Sequence, residues 1–230
     1  MAKKVFLGVG HGGSDPGAVG YVVEKDVNLK MANACKDFLV ANGIEVKMSR
    51  YVDENDSINE EARECNAYDP ALAVDIHNNA GGGDGFEAFY SVVGGMSKTL
   101  AQNIENEVKA IGQNSRGCKT RAGSGGADYY GFIRMTKCPA VIVEGAFVDN
   151  KADAAQIDTD AECKAFGVAY AKGILKTLGI AYKEPTTQTT AQTTSDTLYR
   201  VQVGAFKDKA NAERLVQELK AKGYEAYVRQ

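Results

Sequence analysis

Three short runs of this chain are almost entirely apolar: Val5-Phe6-Leu7-Gly8-Val9, Ala71-Leu72-Ala73-Val74-Asp75-Ile76-His77 and Ala140-Val141-Ile142-Val143-Glu144. A strand with one wet face alternates apolar and polar residues, so unbroken runs of this length predict strands covered on both faces. Between them the period becomes helical. Val27, Met31, Cys35 and Phe38 share one face of a segment from Glu24 to Asn42, which Gly43 closes. Leu100, Ile104, Val108 and Ile111 form a second stripe; Phe166, Tyr170, Ile174 and Leu178 form a third, ended by Gly179. Ile44–Ser49 and Phe86–Val92 read as further strands. Ser57-Ile58-Asn59-Glu60, opening a helix through Ala67, and Thr159-Asp160-Ala161-Glu162 carry the capping-box pattern of a helix start. Strands that alternate with helices predict an α/β domain around a central sheet.

That domain is expected over residues 1–181. From 182 to 197 the texture collapses into Glu184-Pro185-Thr186-Thr187-Gln188 and its near repeats, which have nothing to bury and predict a flexible linker. Residues 198–230 read as strand, helix, strand: Arg200–Val203, then Ala212, Leu215, Val216 and Leu219, then Tyr224–Arg229. Below about 40 residues a unit rarely buries enough surface to fold alone, so this tail is expected to need a partner. It holds seven Lys and Arg against four Asp and Glu, while the chain as a whole has a net charge of −3. Such a charge gives no basic footprint for nucleic acid. No stretch reaches the roughly 18 apolar residues of a membrane span, so membrane insertion is not expected. Five cysteines, Cys35, Cys65, Cys118, Cys138 and Cys163, are dispersed without CxxC or CxxH spacing. That spacing suggests neither a zinc nor a redox motif; Cys35 and Cys65, within helix-like apolar patterns, read as small buried hydrophobes, and the chain as one made for a reducing compartment.

The chemistry centres on the only two histidines. His11 follows the first strand, His77 ends the third, and Glu144 ends a later one. Parallel strands would bring all three to one carboxyl edge, where open α/β sheets place their ligands. Glu24, opening the first helix, could fold back over that edge. Two imidazoles and a carboxylate with one open position make a hydrolytic zinc site, and a second carboxylate supplies the base it needs. Gly8-Val9-Gly10-His11-Gly12-Gly13 formally matches the dinucleotide fingerprint. However, Ser14-Asp15-Pro16-Gly17 continues the turn where that fingerprint needs a helix. In a strand, residues two apart share a face, so Asp75 is expected beside His77, either orienting the ring or pairing with a nearby cation. Asn79 and Arg134 are candidates for substrate contact, Arg134 as a cation beside a developing oxyanion; the alternative for each is an ordinary surface or sheet-edge residue.

Gly10–Ala18, Glu24-Lys25-Asp26 with Asn28-Leu29, Ser49-Arg50, Arg63 with Asn66-Ala67, Ile76-His77-Asn78-Asn79, Gly85-Phe86-Glu87 and Pro139–Phe147 occur in one order along the chain. Together, over about residues 4–178, they resemble the zinc-dependent N-acetylmuramoyl-L-alanine amidases of the amidase-3 type. The resemblance implies a twisted, mostly parallel sheet flanked by helices, with His11, Glu24 and His77 as ligands of Zn2+ and Glu144 as the catalytic carboxylate. It also implies peptidoglycan as substrate, cut between the lactyl group of N-acetylmuramic acid and L-alanine. Where the family usually has a serine before the Ile-His pair, this chain has Asp75.

Tyr199–Phe206 with Ala212, Leu215, Leu219 and Gly223 is similar to the first half of a SPOR domain, a glycan-binding fold built of two such halves. Two tails could pair into one full unit and make a homodimer; the alternative is a tail docked on its own catalytic domain or left partly disordered. The start Met1-Ala2-Lys3-Lys4 has no apolar signal region. The expectation is therefore a protein made in the cytoplasm that acts on the cell wall after release, as a phage or prophage endolysin does. A host autolysin and a non-catalytic wall-binding protein are the alternatives.

Overall fold

The apolar runs become the middle of a six-stranded sheet. In the computed structural model, residues 3–184, 209–224 and 227–228 are described. In chain order the first unit holds β1 (Lys4–Val9), α1 (Glu24–Ala41), β2 (Glu45–Met48), α2 (Ile58–Tyr68), β3 (Leu72–Asn79), β4 (Phe86–Tyr90), α3 (Met96–Ala110), β5 (Ser115–Lys119), α4 (Gly131–Met135), β6 (Ala140–Phe147), α5 (Lys151–Ala154) and α6 (Asp160–Thr177). The strand order is β2-β1-β3-β6-β4-β5. Pairing is parallel throughout except at β4–β6, so the sheet is mixed and mostly parallel. Both capping positions act as predicted: Ser57 Oγ accepts from the Glu60 amide, and Thr159 with Glu162 closes a complete capping box.

The two faces of the sheet are covered unequally. Val5, Leu7, Leu72, Val74, Val141 and Val143 pack into a large core with α1, α3 and α6. The alternate residues Phe6, Ala73, Ala140 and Ile142 meet only a thin layer, Cys65 of α2 and Phe132 and Ile133 of α4. By the two-residue period of a strand, Asp75, His77 and Glu144 continue this second face toward the carboxyl ends.

Three elements escaped the sequence pattern: β5, whose Ser-Arg-Gly-Cys-Lys has no apolar alternation, and the short helices α4 and α5. One expectation needs correcting. His77 and Glu144 do not end their strands, since β3 runs on to Asn79 and β6 to Phe147. The cysteines, dispersed in sequence, include one pair in space: Cys65 Sγ stands 3.9 Å from Cys138 Sγ.

The second unit spans Thr187–Gln230. Its helix α7 (Lys209–Ala221) matches the predicted tail helix. The expected linker from 185 onward and the strand at 200–203 lie outside the described residues, as does part of the strand expected at 224–229.

Candidate metal centre

The first ligand depends on a tight loop. Directly after β1, His11 adopts a left-handed backbone (φ 62°), unusual for a residue with a side chain. The turn that follows is closed by the mutual Gly12–Asp15 backbone bonds, and Asp15 Oδ2 sits 2.8 Å from His11 Nδ1. His11 Nε2 lies 3.2 Å from Glu24 Oε1. The same carboxylate oxygen lies 3.1 Å from His77 Nδ1 and accepts the Asn78 amide at 3.2 Å, while Glu24 Oε2 accepts the Ala18 amide at 2.8 Å. Glu24 therefore does fold back from the first turn of α1 over the sheet edge, between the two imidazoles. Donor atoms of His11, Glu24 and His77 all lie within 4.8 Å of one another, a set able to hold a metal ion.

Close approach explains the glycines of the first turn better than nucleotide binding does. A Cβ on Gly10 would stand 2.1 Å from Cε1 of His77, so only glycine leaves room for that ring. A Cβ on Gly8 would stand 2.5 Å from Glu61 Oε1 and 2.6 Å from Asp75 Oδ1. Both of those oxygens are buried without a hydrogen-bond partner. The other oxygen of Asp75, Oδ2, lies 3.3 Å from His77 Nε2, on the shared strand face. His77 is thus flanked by Glu24 at one nitrogen and Asp75 at the other.

Glu144 pairs in register with His77 across β3–β6 and with Glu87 across β4–β6. Its Oε2 is buried and has no hydrogen-bond partner. Burial pushes its carboxyl up to about 7, against the downward pull of His77. Burial also raises Glu24, but its hydrogen bonds with His11 and His77 prevail and hold it well below the usual carboxylate range. Desolvation lowers His77, yet Asp75 and Glu24 outweigh it and the net shift is upward; His11 is raised chiefly by Glu24. Glu87 is held down by Lys119 and Arg116 of β5 despite its burial.

Asn79 stands two residues beyond His77, past a register shift, with Oδ1 accepting the Ala80 amide at 2.8 Å. Arg134 goes elsewhere. Its Nη1 donates to the carbonyls of Asp128 and Tyr129 at 2.8 and 2.7 Å, and it lines a cleft with Ser91, Pro139 and Ala140 near the start of β6.

Arg50, Asn28, Asn78 and Glu61 were not singled out as functional residues from the sequence. Arg50 is 1% exposed and donates to the carbonyls of Val9, Gly10, Lys25 and Val52, tying the end of β1 to the start of α1. Asn28 donates to the Gly10 carbonyl and accepts from Asn78, whose Oδ1 takes the Ala146 amide. These amides bind α1, β3 and β6 together beneath the cluster. A buried polar residue on an otherwise apolar helix face, as Asn28 is, was the available hint.

The pattern of the N-acetylmuramoyl-L-alanine amidase family (Amidase_3) matches residues 5–176, and that of the SPOR domain matches residues 167–230. The chain is 34% identical over 230 residues to the sporulation-specific N-acetylmuramoyl-L-alanine amidase of Bacillus subtilis, covering 98% of this chain and 84% of that one. It is 34% identical over 193 residues to the endolysin of Bacillus phage SPP1, covering 80% and 69%. Among solved structures, Cwp6 from Clostridium difficile superposes with a TM-score of 0.76 at 35% identity, covering 77% of this chain and 30% of that one. The catalytic domain of the amidase CwlV from Bacillus (Paenibacillus) polymyxa superposes with a TM-score of 0.70 at 28% identity, covering 78% and 99%.

Proposed function

Since the chain belongs to the N-acetylmuramoyl-L-alanine amidase family and is a peptidoglycan amidase, we propose that His11, Glu24 and His77 hold its zinc ion and that Glu144 is its acid–base group. The observation that carries the ligand assignment is the shared oxygen: one carboxylate atom of Glu24 lies 3.2 and 3.1 Å from an imidazole nitrogen of each histidine. Ligand atoms ~2.0–2.1 Å from a tetrahedral zinc stand roughly 3.3 Å apart, so these spacings fit the edges of such a site. The donor chemistry fits as well, two nitrogens and one carboxylate oxygen being a common hydrolytic set. When bound there, zinc supplies Lewis acidity toward a water molecule and toward the scissile carbonyl.

The chain's own groups do the rest. Asp15 and Asp75 fix the two rings from the side away from Glu24, which holds the ligand nitrogens in aim. Glu144 accepts a water proton at its unpartnered Oε2 as the hydroxyl adds to the lactyl carbonyl carbon. As the C–N bond breaks, the same carboxyl returns that proton to the departing nitrogen of L-alanine. Asn79, two residues beyond His77 on β3, remains a substrate contact in this reading. The hydrogen bonds of Arg134 favour a structural role in the loop at 128–130.

Digesting purified cell walls tests the reaction. New alanine amino termini are expected; new reducing sugars would mean a glycosidase. The relatives include a sporulation-specific amidase and a phage endolysin, so likeness to them does not fix the route of delivery. Release from the cytoplasm as an endolysin stays within the proposal, supported by the phage relative, and export without lysis would overturn it. Glycan binding by the SPOR-type tail belongs to the same reading. So does pairing of two tails, which makes the intact chain a dimer and a chain ending at Thr186 a monomer by light scattering.

A further inference from the structure

We propose that Cys65 and Cys138 form a covalent cross-linking site, an intramolecular disulfide that pins α2 to the entrance of β6. The two thiols are 73 residues apart in sequence, yet their sulfur atoms stand 3.9 Å apart. Among the described residues this is the one thiol–thiol contact: Cys118 Sγ lies against Glu105, and Cys163 Sγ against the Ile157 carbonyl. Closing to a bond length of about 2.05 Å needs a shift of under roughly 2 Å between the sulfurs.

The surroundings favour that closure. Cys65 is fully buried on α2, whereas Cys138 is half-buried in the short link between α4 and β6, outside regular structure. The residue beside Cys65 holds that link in place. Asn66 Nδ2 donates to the Met135 carbonyl and its Oδ1 accepts the Lys137 amide, both at 2.8 Å. Cys138 also borders two surface clefts, one beside Asp69 and Pro70 and the other beside Ser91 and Thr136, so a small oxidant reaches it from solvent. Cys138, the less buried of the two, is the thiol that an oxidant meets first and so the attacking one, while burial pushes the Cys65 thiol up.

The oxidant is a low-molecular-weight disulfide such as oxidised glutathione. Cys138 thiolate attacks one of its sulfurs, forming a mixed disulfide and expelling one glutathione thiolate. Cys65, losing its proton, then attacks Cys138 Sγ and expels the second. Two protein thiols become one disulfide, and their two electrons and two protons reduce the oxidant to two thiols. The cross-link joins two elements that frame the metal centre. Glu61, one turn before Cys65, crowds Gly8 together with Asp75, and Glu144 lies on β6, which begins two residues after Cys138. The inference stands on the thiol geometry alone and is independent of the metal assignment.

The test uses the full chain, reduced and then incubated with oxidised glutathione, denatured, alkylated and weighed by mass spectrometry. Two of its five thiols should escape alkylation, and a proteolytic peptide pair should carry Cys65 bonded to Cys138. The thermal midpoint should rise by roughly 5–15 °C, return with dithiothreitol, and stay unmoved by the oxidant in Cys138→Ser. Cys118→Ser, which keeps both partners, should behave as the parent does. Five alkylated thiols, a glutathione adduct that persists on Cys138, or a bond through any other cysteine would overturn the proposal.

Discussion

Glu144 sits between His77 and Glu87 in one row across three strands, with one oxygen left unpartnered. As the acid–base group it must be ionised to take a proton from water, so activity falls as pH drops through its pKa. In the metal-free site burial sets that pKa at about 7 against the pull of His77, and a bound zinc ion moves it lower. A pH–rate profile should therefore show an acidic limb below 7 that Glu144→Gln abolishes. The substitution should also cost about a hundredfold or more in rate while zinc content stays intact. His77→Ala should lose the metal itself, because two remaining ligands hold it poorly. Metal analysis of each purified variant separates the two roles; a metal-free Glu144→Gln would make it a ligand. In the metal-free protein the same carboxyl has a stability signature. Between its ordinary 4.5 and about 7 the folded chain keeps a proton that the unfolded chain has lost, so stability falls as pH rises through that window.

At the level of elements, the reach from β1 into α1 is what turns separate residues into a centre, and Arg50 secures it. Its guanidinium is buried on four backbone carbonyls. Arg50→Ala leaves those acceptors unpaired and should cost about 3 kcal/mol, read as a lower urea midpoint at unchanged slope. Much of this frame was legible beforehand. The long apolar runs exposed β1, β3 and β6, and with them the common edge of His11, His77 and Glu144. What was not legible depends on contacts that leave no periodic trace. The polar β5 is a strand because it pairs with β4, and α4 is too short to show a stripe. Arg50 leaves no periodic sign of the four carbonyls that it holds, and Asn28 shows only as a polar residue on an apolar helix face. Arg134 illustrates the converse: a cation named for its charge has its Nη1 engaged by two carbonyls of its own loop. Cys65 and Cys138 meet only through α2 and α4 packing on one face, which no cysteine spacing reveals.

For the molecule as a whole, the division between Thr186 and Thr187 sets the amidase unit apart from the SPOR-type tail, for which glycan binding is proposed. A chain ending at Thr186 should cleave a soluble muramyl peptide at the rate of the full protein, within about twofold, yet sediment less with insoluble walls. Equal sedimentation would end the targeting role of the tail. Within the first unit the unequal cover of the sheet carries a consequence of its own. The stiff side, backed by the 18-residue helices α1 and α6, resembles the spine of a hinge-bound book, and the reactive row lies under the lighter cover formed by α2 and α4. Local opening starts where the least apolar surface is buried, so heat or age lifts that cover first. Such an enzyme falls silent before it falls apart, and its activity is a stricter measure of its integrity than its helix content.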